Sequence, residues 1–581
     1  MMFDNFLIED GELVRYTQKI NETDVIVPDS VIEIKAGAFK DCFWIRSVTL
    51  PKGVMMIGEE AFAGCKNLHS IYLPKSMIFI DVAAFENCIR LKSITLPKGI
   101  NIISERTFSG CTALEDVQIN FGVEYIGENA FENCTSLKRI RIPATLRLMA
   151  DGNDVFKGCT NLESVSLVYP NNDNISYNKP LPTTYYTYDG ALYSLENNEK
   201  ELIFVPSAKQ KINLHKDTVK IGAKAFENSN VSSLFIPSSI IAIEDDFTTA
   251  SKLSCFSVDP KNTCYSCFDD ALYTKDTDRI LRCPPGKNKI EFADSTVSIS
   301  DNAFENCIEL TCIHFPDTVR HIGANAFKGC INLKIIESSS SLSNIEEYSF
   351  NDTQWFKELQ QEDPLVSINN ILLDASNASG DVTVPDGIKT ISPYAFADNK
   401  NITSVTLPSS LGWIRKFAFS NCKNLTSIII KSVIRIEDNA FEKCSIQTLD
   451  LPPEAENLDP MCFCGAKKLK SINISPKNKQ FSSDRGMIYS KDMKKLCFCP
   501  NKTEVIIPEG TQTVSEFAFC ENGSPKRLTL PCSLRMNNRE EQAFMGTLSI
   551  NVDLDDVAIF CTKDTSACEY LEQEDIIYQL I

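Results

Sequence analysis

The chain has 581 residues, with 58 Lys and Arg against 77 Asp and Glu, for a net charge of −19. That length exceeds one ordinary hydrophobic core, so several domains or a repetitive architecture is expected, and the acidic balance speaks against a nucleic-acid or anionic-membrane partner. Apolar residues make up 43%, which excludes wholesale disorder and leaves 23 cysteines and 34 phenylalanines beside 4 histidines to be explained.

At the N-terminus, Met1-Met2-Phe3-Asp4-Asn5-Phe6 has neither a basic start nor an uninterrupted apolar stretch, so no secretory leader is expected. No window approaches the roughly 20 apolar residues of a transmembrane helix, so no membrane insertion is expected either. Asp10-Gly11-Glu12-Leu13 is a weak first copy of a hairpin signal that returns further along.

From Phe39 the chain repeats itself. Phe39, Phe62, Phe85, Phe108 and Phe131 follow one another every 23 residues, and the series returns at Phe304, Phe327 and Phe350 and at Phe396, Phe419 and Phe441. Three residues after the Phe stands a cysteine in ten copies: Cys42, Cys65, Cys88, Cys111, Cys134, Cys159, Cys307, Cys330, Cys422 and Cys444. Leu follows, then a segment such as Ile71-Tyr72-Leu73-Pro74, whose alternation predicts a short strand with one buried face, ended by a proline that cannot donate to the ladder. One coil cannot bury its Leu, Ile, Phe and Cys alone, whereas stacked coils can, so a β-rich parallel-strand solenoid is expected, with roughly two dozen turns.

Longer repeats interrupt the short ones. Asp189-Gly190-Ala191-Leu192-Tyr193, Asp269-Asp270-Ala271-Leu272-Tyr273 and Gly486-Met487-Ile488-Tyr489 each lead through a polar turn into an apolar stretch ending in proline, which predicts β-hairpins of two strands. Hairpin insertions are expected near 171–206, 260–287, 353–385 and 477–508 within a continuous solenoid over 1–552. Trp355 and Leu359, four apart, predict a short helix over 354–362. Ser566-x-x-Glu569 has capping-box form, so 553–581 reads as a C-terminal cap.

The pattern Cys-x-x-Leu-x-x-Ile-x-Leu-Pro-x-x-Val-x-x-Ile-Gly-x-x-Ala-Phe resembles the BspA-like (Treponema pallidum-type) leucine-rich repeat family over nearly the whole chain. The resemblance implies a right-handed leucine-rich-repeat coil and a non-enzymatic protein-binding role of the surface, adhesion or host-interaction kind. The missing leader points instead to the cytoplasm. Cell-surface location, or export without a leader, rests on the resemblance alone.

Small residues fill the cysteine position elsewhere (Asn399, Thr353, Ser229, Ala250), so the ladder thiols are expected to be free. Cys264-x-x-Cys267, with Cys255 and Cys283, has the spacing of a zinc site, but Cys264 and Cys267 align with Gln480 and Ser483 of the later copy, and no metal or cofactor is expected. Cys462-x-Cys464 and Cys497-x-Cys499 read as packing pairs on one side of a strand. His69, His215, His314 and His321 read as surface residues, and neither His314 nor His321 has an acidic or thiol companion at a recognisable spacing. Nucleotide, nucleophile-elbow and zinc-protease motifs are all missing, so no enzyme is expected.

Function is then expected on the outward strand rows. Tyr72, Phe235 and the basic spot Lys138, Arg139 and Arg141 break a surface otherwise rich in small hydroxyls, and Tyr185, Tyr186 and Tyr188 end the irregular stretch 170–188. These eight are the candidate binding residues, for a protein partner and a monomeric chain. An intracellular interaction scaffold or regulator is the alternative, with a carbohydrate-binding or carbohydrate-processing protein behind it.

Overall fold

In the computed structural model, the described residues are 2–3, 5–17, 22–169, 184–197, 199–459, 461–515, 517–519, 525–535, 557–573 and 576–581. They divide into two compact units. One comprises 1–296 with 302–311 and 329–331, the other 297–301 with 312–328 and 332–581.

Each coil of either unit contributes two strands and a tight turn. The longer strand is the Ser-Ile-Tyr type, as in Ser70–Tyr72, where only the central residue is buried. Pro74 ends it, and the Met77 N–H bonds back to the Pro74 carbonyl to close a turn. A two-residue strand such as Phe79–Ile80 follows, and the Ala-Phe segment carries the chain round. Both strand types pair in parallel with the same position one coil on: Val48 opposite Ile71, and Ile57 opposite Ile80. The turn is bonded from coil to coil as well, Phe62 N–H to Ala84 O at 2.8 Å and Phe85 N–H to Thr107 O at 2.9 Å. The β-solenoid expected from the repeat is therefore present, with two parallel ladders in place of one.

The core of each unit is a set of side-chain columns. In the first unit, rings stack from Tyr16 through Phe39, Phe62, Phe85, Phe108 and Phe131 to Phe156, with centroids 4.8–5.9 Å apart. In the second, Phe396, Phe419, Phe441 and Phe463 form an equivalent column at 4.6–5.6 Å. The ladder cysteines have a definite task. Eight of the ten thiols donate to the carbonyl of the Phe one coil back, among them Cys65 to Phe39, Cys111 to Phe85 and Cys422 to Phe396 at 3.0–3.1 Å. The same carbonyls also accept the backbone N–H three residues on, Cys42 for Phe39 and Cys88 for Phe85, both at 3.2 Å, so the thiol fills a second acceptor position. Asn399 does the same work with its amide, which donates to Ala375 O and Ala378 O.

A second column runs two residues after the Phe, where every residue has positive φ: Asp41, Gly64, Asn87, Gly110, Asn133 and Gly158. Asn or Asp alternates strictly with Gly. A Cβ on Gly64, Gly110 or Gly158 would lie 2.1–2.3 Å from the Oδ1 of the preceding Asp41, Asn87 or Asn133. The side chain of one coil occupies the space that the glycine of the next leaves open.

Three of the insertions differ from the two-stranded expectation, whereas in the fourth Val366–Ile368 and Ile371–Asp374 form the expected two-stranded hairpin. Tyr185–Tyr188, Ala191–Glu196 and Glu199–Phe204 form three antiparallel strands, as do Tyr265–Phe268, Ala271–Thr274 and Arg279–Arg282, and Phe481–Asp484, Met487–Ser490 and Lys495–Phe498. Asp189-Gly190, Asp269-Asp270 and Arg485-Gly486, all with positive φ, are two-residue turns in their own right and add the leading strand. The last strand rejoins the short ladder in parallel and brings Phe204 within 5.3 Å of the Phe156 ring. In the second hairpin Arg282 takes the place of that Phe. It is 2% exposed and donates to the carbonyls of Asn302, Phe247 and Glu305.

A helix spans Gln354–Glu362, as Trp355 and Leu359 indicated, capped by the Thr353 hydroxyl accepting from Phe356 N–H. The terminal helix Ser566–Gln573 corrects the capping-box reading, because Thr565, one residue earlier, accepts from Cys568 N–H. The stretches 170–183 and 553–556, on which expectations for the first insertion and the cap partly fell, lie outside the described residues.

Candidate functional site

Alternation along each long strand turns one residue into the core and its two neighbours outward. Parallel register then converts those neighbours into straight rows. Ser47 pairs with Ser70 and Thr49 with Tyr72; Gln118 pairs with Arg141, and Arg139 and Arg141 with Ser164 and Ser166. Tyr72 is 67% exposed and Phe235 52%. Lys138, Arg139 and Arg141 are all exposed on adjoining positions of one coil. Arg139 reaches Glu163 only at 3.8 Å, a surface pair that contributes little and leaves the guanidinium open. Elsewhere the rows are tied coil to coil by polar side chains, Ser404 to Asp381 at 2.6 Å and Asn473 to Asp450 at 2.8 Å.

His314 corrects one expectation. It does have an acidic companion, Glu337, with Nδ1 2.9 Å from Oε2. The two are register partners on adjacent strands, so the relevant spacing is one repeat. His215 corrects another, because it is largely buried at the first hairpin. Its ring meets Tyr186 and Tyr188 edge-on at 5.4 and 5.0 Å, and burial, with Lys200 nearby, pushes its pKa below the ordinary value. Lys200 lies 5.1 Å over the Tyr186 ring.

The three hairpin tyrosines therefore have different roles. Tyr186 and Tyr188 form a cluster with His215, and Tyr188 is 39% exposed. Tyr185 is buried, and its hydroxyl accepts from the Met149 N–H at 2.9 Å. It also lines a cleft of about 290 Å³ with Asp151, Glu201 and Glu244. Lys220 pairs with Glu201 at 3.2 Å and with Glu244 at 2.9 Å, so two of these carboxylates share one cation.

Among the cysteines, the Cys267 thiol donates to Phe256 O at 3.0 Å, and Cys283 is buried beside Cys307. No group of three or more metal-ligating side chains converges among the described residues. All ten ladder cysteines are free thiols. Burial pushes the Cys42 thiol up to about 11 and that of Cys111 up to about 12, so neither forms the reactive thiolate near neutrality. Cys462 and Cys464 stand in a turn, not a strand, and Cys464 is disulfide-bonded, which corrects the reading of that pair. Thiol labelling of the native chain should accordingly be fast at exposed Cys532 and absent at the ten ladder positions until the coils unfold. Mass mapping of the labelled sites checks this, and rapid native labelling of Cys88 or Cys111 would contradict it.

The profile of the BspA type leucine rich repeat region matches in six copies, over residues 16–120, 200–275, 284–402, 389–499 and 491–576. The chain belongs to the BspA-type leucine-rich repeat family. Among solved structures of this kind, a leucine-rich repeat protein of Treponema pallidum is 31% identical, with 29% of this chain and 83% of that one covered and a TM-score of 0.26. A leucine rich cell surface protein of Faecalibacterium prausnitzii is 21% identical over 74% of this chain and 94% of that one, with a TM-score of 0.31. The pneumococcal vaccine antigen PcpA is 13% identical over 100% and 98%, at a TM-score of 0.18. Among curated proteins none matches. No helix among the described residues is long and apolar enough to cross a membrane.

Proposed function

We propose that this BspA-type repeat chain is a non-enzymatic protein-binding solenoid that docks its partner on the outward face of the long-strand ladder. The observation that supports this most is the set of large and basic side chains left open on that face, Tyr72, Phe235, Arg139 and Arg141, on strands whose inward residues are packed in two buried clusters. Aromatic and arginine side chains on a preordered surface are the usual anchors of protein interfaces, because little entropy is lost when they are covered. The Tyr186–His215–Tyr188 cluster is a second contact region in the same unit. Family membership supports a partner at the cell surface or on a host, and a role in adhesion; a net charge of −19 favours a neutral or basic one.

The test is capture of a partner on the immobilised chain, compared among Tyr72→Ala, Phe235→Ala and Arg139→Glu/Arg141→Glu variants. All four positions are exposed, so the fold should be retained. At least one variant is expected to weaken capture about tenfold or more, the scale of a lost interface anchor. Unchanged capture by all three removes the long-strand face from consideration. Capture of glycans, with none of proteins, favours the carbohydrate reading.

A further inference from the structure

We infer that the first unit carries a self-association surface on its short-strand ladder, and that the chain forms a two-fold dimer through it in place of the monomer expected from sequence. The outward residues of this ladder in successive coils are Met56, Phe79, Ile102, Tyr125 and Leu148, 23 residues apart, with parallel register joining Met56 to Phe79 and Ile102 through Tyr125 to Leu148. The first four are half-buried and Leu148 is 59% exposed. Beside them Met55 and Ile78, the residues just before the first two of these strands, are 45% and 47% exposed, and the next three coils carry Asn101, Glu124 and Arg147 there. The same ladder position in the second unit carries Ser298, His321, Asn344, Thr390, Arg435 and Asn457, with exposed Trp413 and fully buried Ile371 the exceptions. One fold position is thus polar in one unit and apolar over five consecutive coils in the other. A contiguous exposed apolar strip of this kind marks a contact surface.

Charge identifies the occupant. On the side where the chain enters the short strand stand Lys52, Lys75 and Lys98, one per coil and all exposed. On the side where it leaves stand exposed Glu59 and Glu105 at one repeat position, with half-buried Asp81, one residue earlier, in the coil between them. None of the six makes an ion pair among the described residues, whereas Lys40 and Glu60, further round the same coils, do pair. A two-fold axis lying in the contact plane along the stacking direction sets each coil of one copy against the same coil of the other, with its chain direction reversed. Apolar row then meets apolar row. Lys52 faces Glu59, Lys75 faces Asp81 and Lys98 faces Glu105, and each pairing occurs twice because the contact is isologous. An anionic membrane or an acidic partner would meet the carboxylate row and be repelled. Long-range repulsion between two chains of charge −19 is screened within about 8 Å at physiological salt. With strands about 4.8 Å apart, five coils span roughly 20 Å, a contact of the smaller class, so association in the micromolar range is expected.

Sedimentation of the full chain tests this with charge reversal at the six positions, all exposed except half-buried Asp81. The native chain at about 50 µM should sediment near twice 64.9 kDa. Lys52→Glu/Lys75→Glu/Lys98→Glu and Glu59→Lys/Asp81→Lys/Glu105→Lys should each be monomeric alone. Mixed together they should form a heterodimer, because the contact is then all-acidic against all-basic, and the sixfold variant should regain the homodimer. A native chain that stays monomeric at this concentration overturns the inference. So does a dimer that survives either triple reversal, which would place self-association elsewhere.

Discussion

Replacing Phe85 by alanine is expected to remove about 3–5 kcal/mol from the stability of the coils around it. Phe85 is fully buried and stacked between Phe62 at 5.4 Å and Phe108 at 5.8 Å, with rings 5° and 7° from parallel. Truncation removes the transfer free energy of the ring, both aromatic contacts and the support of its neighbours. The surrounding backbone, hydrogen-bonded to the coil on either side, cannot collapse into the gap. In a repeat fold each coil leans mainly on its two neighbours, so the damage should be local. Hydrogen exchange should show lost protection over the coils that carry Phe62, Phe85 and Phe108, with much less change at Phe396. Phe85→Leu keeps most of the volume and should cost clearly less. A uniform loss across both units would mean that the coils are not held pairwise.

The second large effect is expected at Arg415, 8% exposed in the second unit. Its guanidinium donates to Glu437 at 2.7 Å, to Glu346 at 2.8 Å and to the Asn344 side-chain oxygen. Arg415→Met leaves two carboxylates close together without their cation, and breaking such a buried group by removing one partner costs about 3–5 kcal/mol. The pH dependence follows from Glu346. Burial alone would raise its pKa, but the hydrogen bond and charge of Arg415 outweigh burial and hold the carboxyl below the usual value. A carboxyl depressed in the folded state contributes stability that is present above its unfolded pKa and is lost as pH falls through the folded value. The gap between native and Arg415→Met chains should therefore be widest near pH 7 and shrink towards pH 3, where protonation also relieves the like-charge contact. Denaturant unfolding of both chains across that range is the check, and a gap independent of pH would contradict the assignment.

Much of this architecture is legible in the sequence, because the physics is repeated. A column of inward residues must be filled in every coil, so Phe, Cys and Leu recur every 23 residues, and a single copy that drifts does not hide the rest. What escapes is whatever has a different period or none. The Asn–Gly alternation at Asn87, Gly110 and Asn133 has a period of two coils, the side chain of one coil filling the space over the next coil's glycine, whereas Asp398, Asn421 and Lys443 follow one another at the same position of the second unit. Arg282 stands where the aligned hairpin has Phe498, and nothing local reveals that three carbonyls await a donor there. Arg415 meets Glu346 across 69 residues, because the helix and hairpin of 354–374 lie between them in sequence. His314 and Glu337 lie outward on neighbouring strands, a pairing visible only when positions one repeat apart are read together.

The surface is less legible for a related reason. Outward positions need only be compatible with water, so they carry no repeated constraint, and a functional residue looks like any other departure. Tyr72 and Tyr185 have the same residue type, yet one is open and the other is buried against Met149. Exposure in the folded chain, not residue type, separates them.

Hydroxyl-radical footprinting of the chain, free and with its captured protein partner, tests the central claim most directly, because it reads side-chain exposure residue by residue. Tyr72 and Phe235 should be oxidised readily in the free chain, and at least one should lose most of that reactivity in the complex, while buried Phe85 stays silent in both. If the partner is bound and both Tyr72 and Phe235 remain as reactive as in the free chain, the long-strand face is not the docking surface.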